Sequence, residues 1–382
     1  MPLTTVDFST VSRVLVVHLR HYGDVLLTSP VFSALKKHAP HIEADALIYD
    51  HTVDMLSFHP AVAEIHRSIR KRKDLPFATR LGSELRLLRK LRSRRYDMVI
   101  SLGNHPSALW LSWFLRPRYN VAPRRAGPLA RLWAKNFTQV VKYPANTRRH
   151  QIELNLDALR MFGVFPGEEE RNLVLVPGDD AEASVRNRMA AAGLAPGGFV
   201  VVHAPASLAY KQLPPARTAR LIEELVKDGE RVVLTGAPAK SDLALIGAIR
   251  GACRADTVDF SGQLSMKELA ALIGHAKLVI AVDSAPVHIA AAMQTPVVAI
   301  FGPTNEYIWS PWRVPHRVVA SNRHPCRPCH NAGCGGSGVS DCLLTLPIEP
   351  VLAAAKELLG ERASRVPPRS EGERPAPSKL RA

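Results

Sequence analysis

The sequence predicts an α/β protein built from two doubly wound parallel sheets in series. Short apolar runs alternate with segments of helical spacing in the first half, and the second half repeats the plan. At 382 residues the chain exceeds one ordinary core and suits two domains. No short period recurs, so two similar halves are expected and not a solenoid.

In the first half Arg13–Leu19, Ala44–Tyr49 and Tyr96–Leu102 read as buried strands. Val25 to His38 has helical spacing, with Pro30 either kinking that helix or marking its start. A basic helix is expected from Leu81 to Leu91. In the second half the strands are Phe199–His203, Arg231–Thr235, Leu278–Val282 and Val297–Phe301. Helices centred on Ala219–Lys227, Lys240–Ile249, Met266–Ile273 and His288–Met293 lie between them. The expected division is a first domain over 1–175, a second over 176–349, a C-terminal helix over 350–363 and a disordered tail over 364–382. That tail is rich in Pro, Arg and Ser and nearly free of apolar residues.

A net charge of +16 points to an anionic partner. It is concentrated: twelve Lys or Arg and two acids fall between Arg67 and Arg95, and Trp110, Trp113 and Trp133 interleave the basic residues that follow. Nucleic acid, an anionic membrane and a phosphorylated substrate all fit that charge, as does a merely solvated surface. No run is apolar for the ~18 residues of a membrane span, and the first residues lack a secretory pattern, so a cytoplasmic protein is expected. There is no G-x-G-x-x-G after a first strand, no P-loop and no H-E-x-x-H, so nicotinamide, P-loop and zinc-peptidase chemistry are disfavoured. Nor is there a DxD-type carboxylate pair for Mg²⁺. Cys326, Cys329, Cys334 and Cys342 crowd one loop. They could hold structural zinc or remain a reduced, flexible loop.

Parallel sheets of this kind bind ligands at the carboxyl ends of their strands. After the first strand comes Arg20-His21-Tyr22-Gly23-Asp24, where Gly23 allows a tight turn or a positive φ. Asp24 reads either as a helix cap or as a general base facing a cleft. In the second half Lys211, the pair Thr235-Gly236 and the stretch Asp283–His288 sit at strand ends. Asp283-Ser284 before Pro286 marks a helix start whose free N–H groups attract anions. Asp283 itself suits sugar hydroxyls, while the amides of Ser284 and Ala285 suit phosphate. For Lys211 a diphosphate contact and plain solvent exposure are both open, and for His288 a packed, satisfied ring is the more common fate.

These residues resemble glycosyltransferase family 9, the lipopolysaccharide heptosyltransferases. The resemblance rests on Arg20 through Pro30, Val282 through Ala292, Phe301-Gly302-Pro303-Thr304 and Trp309-Ser310-Pro311-Trp312, and it runs from about Arg13 to Leu359. The form Asp-Ser-Ala-Pro-x-His-Ile-Ala-Ala-Ala most resembles the heptosyltransferase III branch. The resemblance implies a GT-B fold with acceptor on the first Rossmann-like domain and nucleotide sugar on the second. It implies inverting, metal-independent transfer of heptose from ADP-heptose to phosphorylated inner-core lipopolysaccharide, with no cofactor, at the anionic cytoplasmic face of the inner membrane. Carried over, Asp24 is the catalytic base and Arg20, His21 and Gly23 meet the acceptor. Lys211, Thr235, Gly236, Asp283, Ser284, Ala285 and His288 form the donor site. A family member with another nucleotide sugar or core acceptor is the alternative. A basic nucleic-acid-binding protein is a remote one, and no nucleic-acid partner is expected.

Overall fold

The computed structural model describes residues 6–69, 74–144 and 147–365. The first sheet comprises β1 (Arg13–Val17), β2 (Glu43–Tyr49), β3 (Ile65–Ser68), β4 (Met98–Ser101), β5 (Tyr119–Pro123) and β6 (Gln139–Val141). Their order is β3-β2-β1-β4-β5-β6, with every pairing parallel. The second comprises β7 (Phe199–His203), β8 (Arg231–Leu234), β9 (Val258–Asp259), β10 (Leu278–Val282), β11 (Val297–Phe301) and β12 (His316–Ala320). It runs β12-β11-β10-β7-β8-β9, again parallel throughout. Counted within its own half, each sheet has the order 3-2-1-4-5-6 of a Rossmann fold. The central strands are apolar along their length because helices cover both faces.

The helices of the first half are α1 (Tyr22–Leu26), α2 (Ser29–His38), α3 (Phe77–Ser93), α4 (Pro106–Leu115), α5 (Ala130–Asn136) and α6 (Gln151–Arg160). Those that follow are α7 (Asp179–Ala191), α8 (Pro215–Lys227), α9 (Lys240–Ala252), α10 (Met266–His275) and α11 (Ala285–Ala292). The stretch expected as one helix from Val25 to His38 is two. Pro30 occupies the first turn of α2, where its missing N–H costs nothing, so it marks a start and not a kink. The Leu27 carbonyl freed at the break accepts from Asn155 Nδ2 at 2.9 Å. The expected C-terminal helix is present as Glu349–Arg365, and the expected tail lies outside the described residues from 366 onward.

One apolar cluster runs through both halves, taking in Val14, Phe32 and Leu156 from the first and Val201, Ile289 and Phe301 from the second. The opposite face of the first sheet has its own core, where Leu15, Val17, Leu47 and Val99 meet Leu91 of α3 and Leu111 of α4. Thus α3 and α4 lie on the side of the first sheet that is not shared with the second half.

Polar contacts also join the halves. Lys267 donates to the carbonyls of Ser57, at 2.9 Å, and Val176, and lies over the Phe58 ring. Burial lowers its pKa to about 8. His150 caps α6 by accepting from the Ile152 amide, and its Nε2 donates to the Ser310 carbonyl at 2.8 Å. Its ring stacks on Trp312, 4.5 Å between centroids.

Candidate active site between the two halves

The reversal of strand order lies between β1 and β4 in the first sheet and between β7 and β10 in the second. A crevice opens at the carboxyl ends of such a pair, because the flanking connections depart to opposite faces. The segments that carry the sequence-derived candidates follow β1, β7 and β10.

After β1, His21 is the N-cap of α1 and Asp24 lies inside its first turn. Asp24 is therefore not the cap residue, and that alternative fails. Its carboxyl is half-buried. Burial raises its pKa, and the nearby Arg20 and His21 pull the other way. Arg20 and His21 themselves are exposed. A carboxylate with a raised pKa is a better proton acceptor, provided it is still ionised at the working pH.

Gly23 is helical, so neither a tight turn nor a positive φ is its reason for being glycine. Its reason is close approach. A Cβ placed there would sit 2.9 Å from Cδ2 of His288 and 3.6 Å from Cα of Ala285. Through this contact α1 packs directly on α11, and Asp24 stands one residue from the junction of the two walls.

On the second wall, Asp283 is the residue after β10. Its Oδ2 accepts from Lys211 Nζ at 2.8 Å and from Thr304 Oγ1 at 2.5 Å. Lys211 is thus engaged and not free in solvent, although part of its side chain stays accessible. The pair also answers why a carboxylate can stand beside an anion site: Lys211 neutralises it. Both bonds fall on Oδ2, which leaves Oδ1 open to another donor among the described residues. Ser284 is the N-cap of α11, but its hydroxyl turns back to the Val282 carbonyl at 2.9 Å and caps nothing. In the first turn of α11 Pro286 has no N–H and the Val287 amide donates to the Ser284 carbonyl at 3.1 Å, so among the described residues it is the Ser284 and Ala285 amides that remain available to an anion.

His288 lies one turn into α11, buried, with its Nδ1 lacking a partner. Desolvation lowers its pKa to about 4, outweighing the attraction of Asp283, so it is neutral at pH 7. The packed ring expected of it is present, but it is not fully satisfied. Thr235 is buried just past β8, where its hydroxyl bonds His203 Nδ1 at 2.9 Å, and Gly236 follows. Thr304 is a site residue that residue-by-residue reading missed. The motif containing it was visible, but nothing in one sequence showed that its hydroxyl would reach Asp283.

Two other clusters invite a metal reading. Asp45, Glu64 and His66 bring ligand-type atoms within 4.8 Å of one another. Their charge is already met, since Arg94 bonds both Asp45 oxygens, Lys90 pairs with Glu64 and Tyr96 donates to Asp45 at 2.7 Å. The four loop cysteines are free thiols, and the Asp341 amide donates to Cys334 Sγ at 3.4 Å. Burial pushes the Cys342 thiol up.

The family model described as glycosyltransferase family 9 (heptosyltransferase) matches residues 84–338. Lipopolysaccharide heptosyltransferase 3 of Escherichia coli is 32% identical over 77% of this chain and 84% of its own. The protein of that name from strain K12 is 30% identical over 90% and 97%. Among solved structures, E. coli ADP-heptose lipopolysaccharide heptosyltransferase II superposes with a TM-score of 0.71, covering 92% of this chain and 99% of that one at 19% identity. That likeness establishes the two-domain GT-B fold. With the sequence matches, it places the chain in glycosyltransferase family 9, the heptosyltransferases.

Proposed function

We propose that this glycosyltransferase moves L-glycero-D-manno-heptose from ADP-heptose to phosphorylated inner-core lipopolysaccharide, with inversion and without a metal cofactor. The observation that supports the reading is the Gly23 contact with His288 and Ala285, which packs the segment carrying Asp24 against the first turn of α11, two residues on from the Asp283 that pairs with Lys211. The substrate classes follow the E. coli relatives, a lipopolysaccharide heptosyltransferase and an ADP-heptose lipopolysaccharide heptosyltransferase.

In this mechanism Asp24 takes the proton of an acceptor hydroxyl as the oxygen attacks the anomeric carbon from the face opposite ADP. The carbon–oxygen bond to the diphosphate breaks in the same displacement, and ADP leaves with the electron pair. Lys211 and the amides of Ser284 and Ala285 meet the charge that develops on the leaving group. Asp283 holds Lys211 in place and offers its second oxygen to a sugar hydroxyl. Thr235 and Gly236 bound the donor side, while Arg20 and His21 line the acceptor lip. The enzyme works at the cytoplasmic face of the inner membrane, where its acceptor is held. Among the described residues no helix is long and apolar enough to cross a membrane.

Calorimetric titration with ADP-heptose, ADP and a UDP-sugar, with and without EDTA, tests this reading. ADP-heptose should bind tightest and EDTA should change nothing. Preference for the UDP-sugar, or binding abolished by EDTA, would overturn it.

A further inference from the structure

The outer surface of α3, α4 and α5 carries large apolar side chains that the fold does not cover. Phe77, Leu81 and Leu85 recur every four residues along α3, so they form one stripe. Phe77 is 71% exposed. On α4, Trp110 and Trp113 are 64% and 65% exposed, with ring centroids 5.8 Å apart. Leu132 of α5 is also exposed. Helix α4 packs against both α3 and α5, so the three helices present neighbouring surfaces. The inner side of α4 is spent on the core through Ala108, Leu109 and Leu111, so its outer tryptophans are surplus to folding.

The charge around this surface is one-sided. Helix α3 carries Arg80, Arg86, Arg89 and Arg92, with Lys90 paired to Glu64, against the single acid Glu84, and α5 adds Arg131 and Lys135 with no acid. Glu84 is already engaged by Ser68 and the Ile69 amide. A second copy of this chain would bring an equally cationic face against it, which the like charges oppose. An anionic bilayer offers the complement: phosphates for the arginines, and a headgroup boundary where tryptophan's apolar body and N–H are both accommodated.

We propose that α3, α4 and α5 form a monotopic docking surface for a bilayer of anionic phospholipid, with Trp110 and Trp113 entering the headgroup–acyl boundary. Helix α4 begins just after the carboxyl end of β4, so this surface starts at the end of the sheet where the crevice opens. The proposal deepens the location assigned above and rests on it, but lipid binding can be measured with neither sugar donor nor acceptor present.

The test uses the full chain with phosphatidylcholine vesicles containing 0% or roughly a third of brominated phosphatidylglycerol at physiological salt. Wild-type protein should sediment with the anionic vesicles only, lose tryptophan fluorescence to the bromine quencher, and release as salt rises. The double variant W110S/W113S should keep its melting temperature and ADP-heptose affinity while its vesicle binding falls at least tenfold. Equal binding by that variant, or wild-type indifference to phosphatidylglycerol, would overturn the docking surface and leave the transfer reading standing. Self-association of the wild type that W110S/W113S abolishes, without any vesicle binding, would overturn it in favour of a second copy. Loss of ADP-heptose binding by wild-type protein would instead strike the transfer reading.

Discussion

The two halves share a strand order and a connection plan, yet the residues that follow a central strand in each face opposite demands. In the first half the strand end delivers Asp24, whose carboxyl is half-buried and raised above its ordinary value by desolvation, with the exposed Arg20 and His21 and the backbone amides of His21 and Asp24 pulling against it. In the second half the strand end delivers Asp283, which bonds both Lys211 and Thr304. The carboxylate proposed as the base is partly desolvated with no ion pair of its own among the described residues, and the other is paired with a lysine. Topology fixes where the crevice opens, but the handful of residues after β1, β7, β10 and β11 decides what each wall can do.

The widest consequence of this contrast is a pH dependence. A protonated Asp24 cannot accept the acceptor's proton, and its raised pKa keeps it protonated to higher pH than an ordinary aspartate. Turnover should therefore fall about tenfold per pH unit on the acid side, beginning above the usual carboxylate range. A pH–rate profile of kcat/KM whose acid limb lies at or below that range would contradict the environment described for Asp24. Changing the junction itself should have a smaller effect. Gly23→Ala puts a methyl group 2.9 Å from Cδ2 of the buried His288 ring, so the ring or one of the two helices must shift. The variant should lose about 1–3 kcal/mol of stability in urea denaturation. Wild-type stability would show that α1 and α11 are not in the described contact.

Much of this arrangement was legible from the sequence, because its signals are local. The second-half strands Phe199–His203, Leu278–Val282 and Val297–Phe301 match their observed bounds, since central parallel strands read as plain apolar runs. What was missed lies toward the sheet edges. The strand Ile65–Ser68 contains His66 and Arg67, Tyr119–Pro123 contains Asn120 and ends in proline, and Val258–Asp259 is two residues long. Each draws its strand character from a neighbour's hydrogen bonds, which local pattern cannot show. The candidate residues were found because strand ends and a helix start leave marks at short range. Their contacts were not. Thr304 is 21 residues from Asp283, and Gly23 meets His288 only after both sheets have formed. Gly23 was accordingly read as a turn residue when its requirement is space.

The division of labour between the walls is tested most directly by comparing Asp24→Ala with Lys211→Ala for donor affinity and turnover side by side. Asp24→Ala should bind ADP-heptose like the wild type while kcat falls about 10²–10⁴-fold. Lys211→Ala should bind ADP-heptose more weakly and also lose about 10²–10³ in kcat. Near-normal turnover in Asp24→Ala, or a loss of donor affinity matching that of Lys211→Ala, would contradict the assignment of proton transfer to the first wall and leaving-group stabilisation to the second.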